Sequence, residues 1–388
     1  MDLPEVALFA IGRLEAFGHE AVAVGGCVRD FLMGRTPQDY DLATSATPDE
    51  VMKALSGERI APTGLKHGTV TLVRNGMALE ITTYRVDGEY LDHRHPEGVR
   101  FTGSLLEDLK RRDFTVNAIA WSPSRGLIDP MGGRQDIEGK RICAVGDPEA
   151  RFSEDALRIL RALRFASRLG FAIEPDTARA LTELRESLRF VARERVGAEI
   201  EGFLAGAGAA EIARTHRAVL EAALPELKSI PEDAWARALA MLSRAPFGPA
   251  ARLAALLSPL DAGAESALDS LRLPGKTVQR ALRLIDRLGR EETSAAQALG
   301  AAQALGALGA EDARALFQME GADPAPLEKL IESGACVTIR QLAVDGRDLT
   351  ALGLKGREVG EALQRLLEEV IAGAPNEREA LLSRVIHR

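Results

Sequence analysis

Along the first third of the chain, short apolar runs alternate with polar breaks at the spacing of strands. AVAVGG, YDLAT, GTVTLV, ALEITTYRV and VRFTG are rich in β-branched residues and bounded by Gly, Pro or Asp. Helical spacing intervenes in CVRDFLMG and TPDEVMKALSG, so residues 1 to about 145 predict a domain that mixes both element types. The opening MDLPEVALFAIGRLEAFGHE carries early acids and predicts an amphipathic helix rather than a signal peptide. From Arg151 onward, Ala, Leu, Glu and Arg recur at helical spacing and strand patterns nearly vanish. Breaks at GFAIEPD, LPELKSIPED, SRAPFGP, LRLPGKT and GADPAP divide this part into an all-α array. SAAQALGAAQALGALGAED, 294 to 312, predicts a helix hairpin whose period is too short for a solenoid.

Composition changes this picture little. With 388 residues, 46% of them hydrophobic, the chain can bury a sizeable core and form two or three domains. No run of about 18 apolar residues exists, so no membrane span is expected. Cys27, Cys143 and Cys336 are widely separated and odd in number, which fits reduced thiols in a cytoplasmic protein. The net charge of −8 argues mildly against nucleic acid as a partner. Binding answers to local patches, however, and the arginines here are unevenly placed.

The first candidate chemistry lies in VGGCVRDFLMGRTPQDYDLAT, 24 to 44. It reads as strand, tight turn and short helix, with Gly34 where a helix-ending glycine is expected. Gly25 and Gly26 let backbone approach a ligand, and the helix start favours an anion such as phosphate. Arg29, on that first turn, has the forked donors to clamp a phosphate oxygen. Taken alone, a glycine pair is equally a plain turn. Asp39 and Asp41 then follow; in a strand they would share a face, with Tyr40 and Leu42 turned to the core. Paired carboxylates raise each other's pKa unless a cation lies between them, and such oxygen-rich sets suit Mg²⁺. An isolated pair of this kind would be an ordinary solvated turn. Behind a phosphate turn, it describes a triphosphate and its metals.

The pattern GG-x-VRD-x-x-x-G-R-x-x-x-D-x-D-x-x-T, Gly25 to Thr44, resembles the first motif of class II nucleotidyltransferases of the polymerase β superfamily. That class holds tRNA CCA-adding enzymes and bacterial poly(A) polymerases. LKRRDFTVNAIAW, 109 to 121, resembles the second motif. The resemblance implies Arg112 as a nucleotide contact, with Asp113 and Asn117 as weaker candidates, while Asp113 or Thr115 is expected to cap a following helix. LIDPMGGRQDIEGKRI, 127 to 142, resembles the third motif, expected to act as a hinge without chemistry of its own.

RFSEDALRILRALRFASRLGF, 151 to 171, predicts a helix capped by Ser153, with Ala156, Leu157, Leu160, Leu163 and Phe165 on its apolar side. Arg158, Arg161, Arg164 and Arg168 form a stripe with no acid interleaved after Asp155. An Arg-rich face of this kind is often plain solvent surface. Asp155 one turn before Arg158 has a further use, because C and A present an amine donor beside a ring-nitrogen acceptor. A carboxylate with a guanidinium favours them over U and G. In the resembled family the matching Glu154-Asp155-x-x-Arg158-x-x-Arg161 residues act as an amino-acid template. RFVARERVGAEIEGFL, 189 to 204, resembles a fifth motif, in which Glu194 or Arg195 braces the template helix.

TGLKHGTV and the C-terminal 345 to 379 look like the CCA-adding branch rather than the poly(A) branch. The loop DGEYLDHRHPEGV, 87 to 99, tilts the reading towards full CCA addition over CC-only addition. Glu80 stands as a third metal carboxylate or as a solvent-facing strand residue.

The expected fold is α+β: a mixed-sheet polymerase β-type nucleotidyltransferase head over 1–145, then an all-α neck over 146–205, body over 206–275 and tail over 276–388. Gly26, Arg29 and Arg112 would hold the triphosphate, supported by Arg161 and Arg164. Asp39 and Asp41 would bind two Mg²⁺, and Asp155 with Arg158 would choose the base. Expected partners are the tRNA 3′ end, CTP and ATP, with no protein partner. CC-only or A-only addition, poly(A) synthesis and non-catalytic RNA binding are the alternatives.

Overall fold

The computed structural model describes residues 1–87, 99–260, 262–288 and 298–386. The chain divides into two compact units, Met1–Pro225 and Glu226–Arg388. In the first, α1 (Glu5–Ala16) leads to β1 (Ala21–Val24), α2 (Gly26–Leu32), β2 (Asp41–Thr44) and α3 (Pro48–Ala54). Strands β3 (Arg59–Gly64), β4 (Thr69–Arg74) and β5 (Met77–Thr83) follow, then the hairpin pair β6 (Arg85–Asp87) and β7 (Val99–Phe101). After α4 (Leu105–Lys110) come β8 (Ala120–Ser122), β9 (Gly126–Ile128) and α5 (Gly133–Glu138).

The main sheet has seven strands in the order β3-β4-β5-β2-β1-β8-β9. Only β2 and β5 run parallel; the other pairings are antiparallel, so the sheet is mixed as expected. Val22, Val24, Ala43, Tyr84, Leu105, Leu109 and Ala120 form one buried cluster on it. Helix α1 buries Val6, Ala7, Ala10, Ile11 and Leu14, the apolar stripe that its spacing predicts. Three strands of this sheet escaped the sequence pattern: β3, which contains Pro62, and β8 and β9, each only three residues long.

The helical part of this unit begins with α6 (Pro148–Glu154), α7 (Leu157–Leu169), α8 (Pro175–Glu183) and α9 (Arg193–Leu204). The expected single helix from Ser153 is therefore corrected: Ser153 lies inside α6, and the chain breaks at Asp155, whose backbone is extended (φ −141°, ψ 103°). Asp155 Oδ1 accepts from Leu157 N at 3.1 Å, so its own side chain caps the second helix and competes with continuing the first. Leu157, Leu160 and Leu163 are buried on α7 as expected, whereas Phe165 is only half-buried. Gly206 and Gly208 lie against Ser167, whose hydroxyl donates to the Phe203 carbonyl at 2.7 Å, which seats α7 closely on the end of α9.

The second unit is helical among its described residues, from Glu232–Arg244 to Arg378–Ile386. Its breaks coincide with the Pro- and Gly-rich segments that the sequence marks. The hairpin expected within 294–312 is corrected: the described part of that segment holds one helix, Ala298–Leu308, and after Gly309 at φ +78° only the start of the next, Ala310–Glu320. Leu342, Leu349, Leu366 and Leu381 anchor a separate C-terminal cluster.

Candidate active site

The turn between β1 and α2 is made by Gly25, whose φ of +77° is open to glycine and strained for most residues. A Cβ there would come 3.1 Å from Arg112 Nη1, so the turn and the second motif are in direct contact. Gly26 starts α2, and Arg29 one turn on is nearly buried, at 9% exposure. Arg29 Nη1 donates to Asn117 Oδ1 at 2.6 Å, while Nε and Nη2 donate to Asp30 Oδ1 at 2.9 and 2.8 Å. The guanidinium is thus held by protein partners across the head.

Strand β2 begins only at Asp41, so strand alternation does not place Asp39, which lies in the preceding coil. Tyr40 is half-buried rather than a core residue, while Leu42 is fully buried. Asp39 nonetheless acts on Asp41. Burial pushes the Asp41 carboxyl above its usual range, Glu80 raises it further, Arg112 opposes, and Asp39 adds to the rise. Glu80 is the register partner of Asp41 on β5, and both, like Asp39, reach solvent. A cation beside Asp41 would offset the repulsion that Glu80 and Asp39 exert on it. Among the described residues no group of three His, Cys, Asp or Glu is placed to hold a metal ion.

Around Arg112 the structure adds a residue that sequence reasoning missed. Asp108 on α4 is 1% exposed and receives Arg112 Nη2 at 3.2 Å on Oδ2. Its Oδ1 receives Arg111 Nε and Nη2 at 2.9 and 2.7 Å. Burial alone would raise this carboxyl; Arg112 and Arg111 overcome it and hold Asp108 below the usual range. The signal lay in the i, i+3 and i, i+4 spacing of Asp108 to the arginine pair.

The expected helix after Asp113 is a single 3₁₀ turn, Thr115–Asn117, so neither Asp113 nor Thr115 caps a helix. Thr115 Oγ1 instead donates to Asp136 Oδ2 of α5 at 2.7 Å, tying the second motif to the third. Asp113 Oδ1 accepts from Asn117 Nδ2 at 3.2 Å and Phe114 N at 2.8 Å. Its Oδ2 accepts Arg161 Nε and Nη2 at 2.8 and 2.6 Å. Burial disfavours the Asp113 charge, yet Arg161 and these donors hold the carboxyl low. A continuous polar chain therefore runs from Arg29 through Asn117 and Asp113 to Arg161.

The arginine stripe on α7 does have acid partners, supplied by other elements. Arg164 Nε lies 3.1 Å from Glu199 Oε2 on α9 as an ion pair without hydrogen-bond alignment, and Arg161 reaches Glu199 at 3.8 Å. Burial raises the Glu199 carboxyl although Arg164 and Arg161 oppose it. Arg158, 8% exposed, donates Nη1 to Glu154 Oε2 at 2.6 Å and to the Arg151 carbonyl at 3.0 Å. Its Nη2 donates to the Arg111 carbonyl at 3.2 Å. Asp155 Oδ2 accepts from Arg195 Nη2 at 3.1 Å, the brace expected of the fifth motif. The two selector candidates are each steadied by a separate charged neighbour. Residues 88–98 of the loop 87–99, on which the reading of full CCA addition leaned, lie outside the described residues.

The glycine turn, the Asp41–Glu80 pair and the arginines of α7 all fall within the first compact unit. Residues 21–143 match the model of the poly A polymerase head domain. Residues 170–230 match that of the probable RNA and SrmB-binding site of polymerase A. The CCA-adding enzyme of Geobacillus kaustophilus is 38% identical over 99% of this chain and 97% of its own. That of Geobacillus stearothermophilus is 40% identical over 98% and 96%. The crystal structure of the Bacillus stearothermophilus CCA-adding enzyme in complex with CTP superposes with a TM-score of 0.81. That match has 35% identity and covers 100% of this chain and 98% of the other. The chain belongs to the CCA-adding enzyme family of tRNA nucleotidyltransferases, and that membership implies dependence on a divalent metal. Among the described residues no helix is long and apolar enough to cross a membrane.

Proposed function

We propose that the protein adds C, C and A in turn to the 3′ end of tRNA, using CTP and then ATP without a nucleic-acid template and releasing pyrophosphate. The observation that carries it is the hydrogen bond from Arg158 Nη2 to the Arg111 carbonyl, which sets the selecting side chain one residue from Arg112. Base choice and triphosphate handling would then fall to neighbouring residues of the second motif and α7.

In this reading Asp39 and Asp41, with Glu80 beside them, hold Mg²⁺. Bound there, magnesium lowers the pKa of the tRNA 3′-hydroxyl and steadies the departing pyrophosphate. Arg112 and the Gly25–Gly26 turn orient the triphosphate, with Arg29, Arg161 and Arg164 supplying positive charge behind it. Asp155 accepts from the exocyclic amine of C or A while Arg158 donates to the ring nitrogen. Residues 1–145 serve as catalytic head, 146–205 as neck, 206–275 as body and 276–388 as tail, with tRNA held by backbone shape along the helical part. The working compartment is the cytoplasm.

The test is incubation of tRNA lacking its 3′ end with labelled CTP and ATP. Ordered addition of C, C and one A is expected; runs of A from ATP alone on generic RNA would instead make it a poly(A) polymerase. D39A should abolish addition while tRNA binding persists, and unchanged addition would refute the catalytic assignment.

A further inference from the structure

The ring of Phe165 lies at the meeting point of three arginines. Its centroid is 5.6 Å from the guanidinium carbon of Arg29, 5.3 Å from that of Arg161 and 4.9 Å from that of Arg164. The ring in turn packs edge-to-face on Phe114, with centroids 5.8 Å apart and planes at 74°. Phe114 is fully buried in the second motif, so it fixes where the Phe165 ring stands.

Gathering three guanidiniums around one point is electrostatically unfavourable. Acids offset part of the cost: Asp30 for Arg29, Asp113 for Arg161 and Glu199 for Arg164. Burial and the neighbouring Arg161 and Arg168 still disfavour the Arg164 charge, against the pull of Glu199. The negative face of an aromatic ring attracts cations without consuming their N–H donors. A further carboxylate in its place would compete for the donors that a phosphate needs.

We propose that Phe165 is a positioning residue whose π-face gathers Arg29 of the head and Arg161 and Arg164 of α7 into one cationic cluster for the incoming nucleoside triphosphate. The proposal rests on the reading that these arginines serve the triphosphate. It predicts a dependence on the charge distribution of the ring, beyond its volume, which an apolar filler would not show.

The experiment replaces Phe165 with phenylalanines of increasing fluorination, which keep the ring's shape and weaken its negative face. CTP and ATP binding is measured by calorimetry and CCA addition by steady-state kinetics, with thermal melts as a check on folding. Kd and KM for both nucleotides should climb stepwise, reaching about tenfold for the fully fluorinated ring, while kcat stays within about twofold. F165W should bind nucleotides at least as well as F165L, despite its poorer fit. A flat fluorination series, with loss only in F165L, would overturn the proposal and leave Phe165 as packing. Should the unaltered protein fail to add CCA, the proposed function falls, while the calorimetric series still decides the role of Phe165.

Discussion

Asp41 and Glu80 occupy the same register position on neighbouring parallel strands, and the charge of Glu80 raises the proton affinity of Asp41. E80Q should therefore move the acid limb of the kcat/KM–pH profile to lower pH, because Asp41 ionises more readily without its neighbour. D39N should move it the same way by less. A pH–rate series checks this, and a limb that stays in place would detach Glu80 from the site. If Glu80 also touches metal, the same variant will need more Mg²⁺ for half-maximal rate.

The raised Asp41 carboxyl also makes a statement about stability. The folded protein holds this proton to higher pH than the unfolded chain, so folding is favoured at low pH and loses stability as pH rises through the folded value. D41N should remove that loss. In chelator near neutral pH its Tm should exceed that of the parent by about a degree or two, a small effect because the group reaches solvent. Saturating Mg²⁺ should narrow the gap, and differential scanning calorimetry reads both.

Asp108 compensates two arginines from a site with almost no solvent. D108A leaves them facing a buried void and should cost about 2–4 kcal/mol of stability, measured by urea unfolding. D108N keeps the shape and should fold, yet raise KM for CTP and ATP together more than it lowers kcat, since Arg112 is less firmly aimed. Because Asp108 is held below its usual range, its stabilisation is complete above the ordinary carboxylate range and fades as pH falls through the folded value.

Arg158 is fixed by Glu154 on one side and the Arg111 carbonyl on the other. R158A should lower the preference for CTP over UTP by about tenfold to a hundredfold, the scale of losing a recognition hydrogen bond to a base edge. E154Q should shift the same ratio by less. Competition of labelled CTP against UTP measures it, and an unchanged ratio would remove Arg158 from base choice.

Much of this was legible in the chain because it depends on local spacing. Gly25, α2 and Gly34 follow turn and cap chemistry that neighbours dictate, and the breaks of the helical half sit at Pro and Gly. Some of the misreadings come from tertiary partners that local spacing cannot reveal, others from where an element begins or ends. The stripe on α7 looked unpaired because its acids, Asp113 and Glu199, come from distant segments. The break at Asp155 was hidden because Ser153 and Glu154 suit either side of a helix start, and only the bonds to Leu157 and Arg195 decide it. Asp39 was placed on a strand that begins two residues later. Phe165 read as core from its period, yet what surrounds it is charge.

Gly25 and Arg112 meet so closely that a Cβ at position 25 would require the guanidinium to give by a few tenths of an ångström. The first and second motifs are therefore mechanically coupled at this contact. A bulkier residue in the turn would be tolerated only alongside a retreat at position 112, and that retreat would slacken the grip on the triphosphate. Two stretches that look independent on paper meet as a single mechanical part.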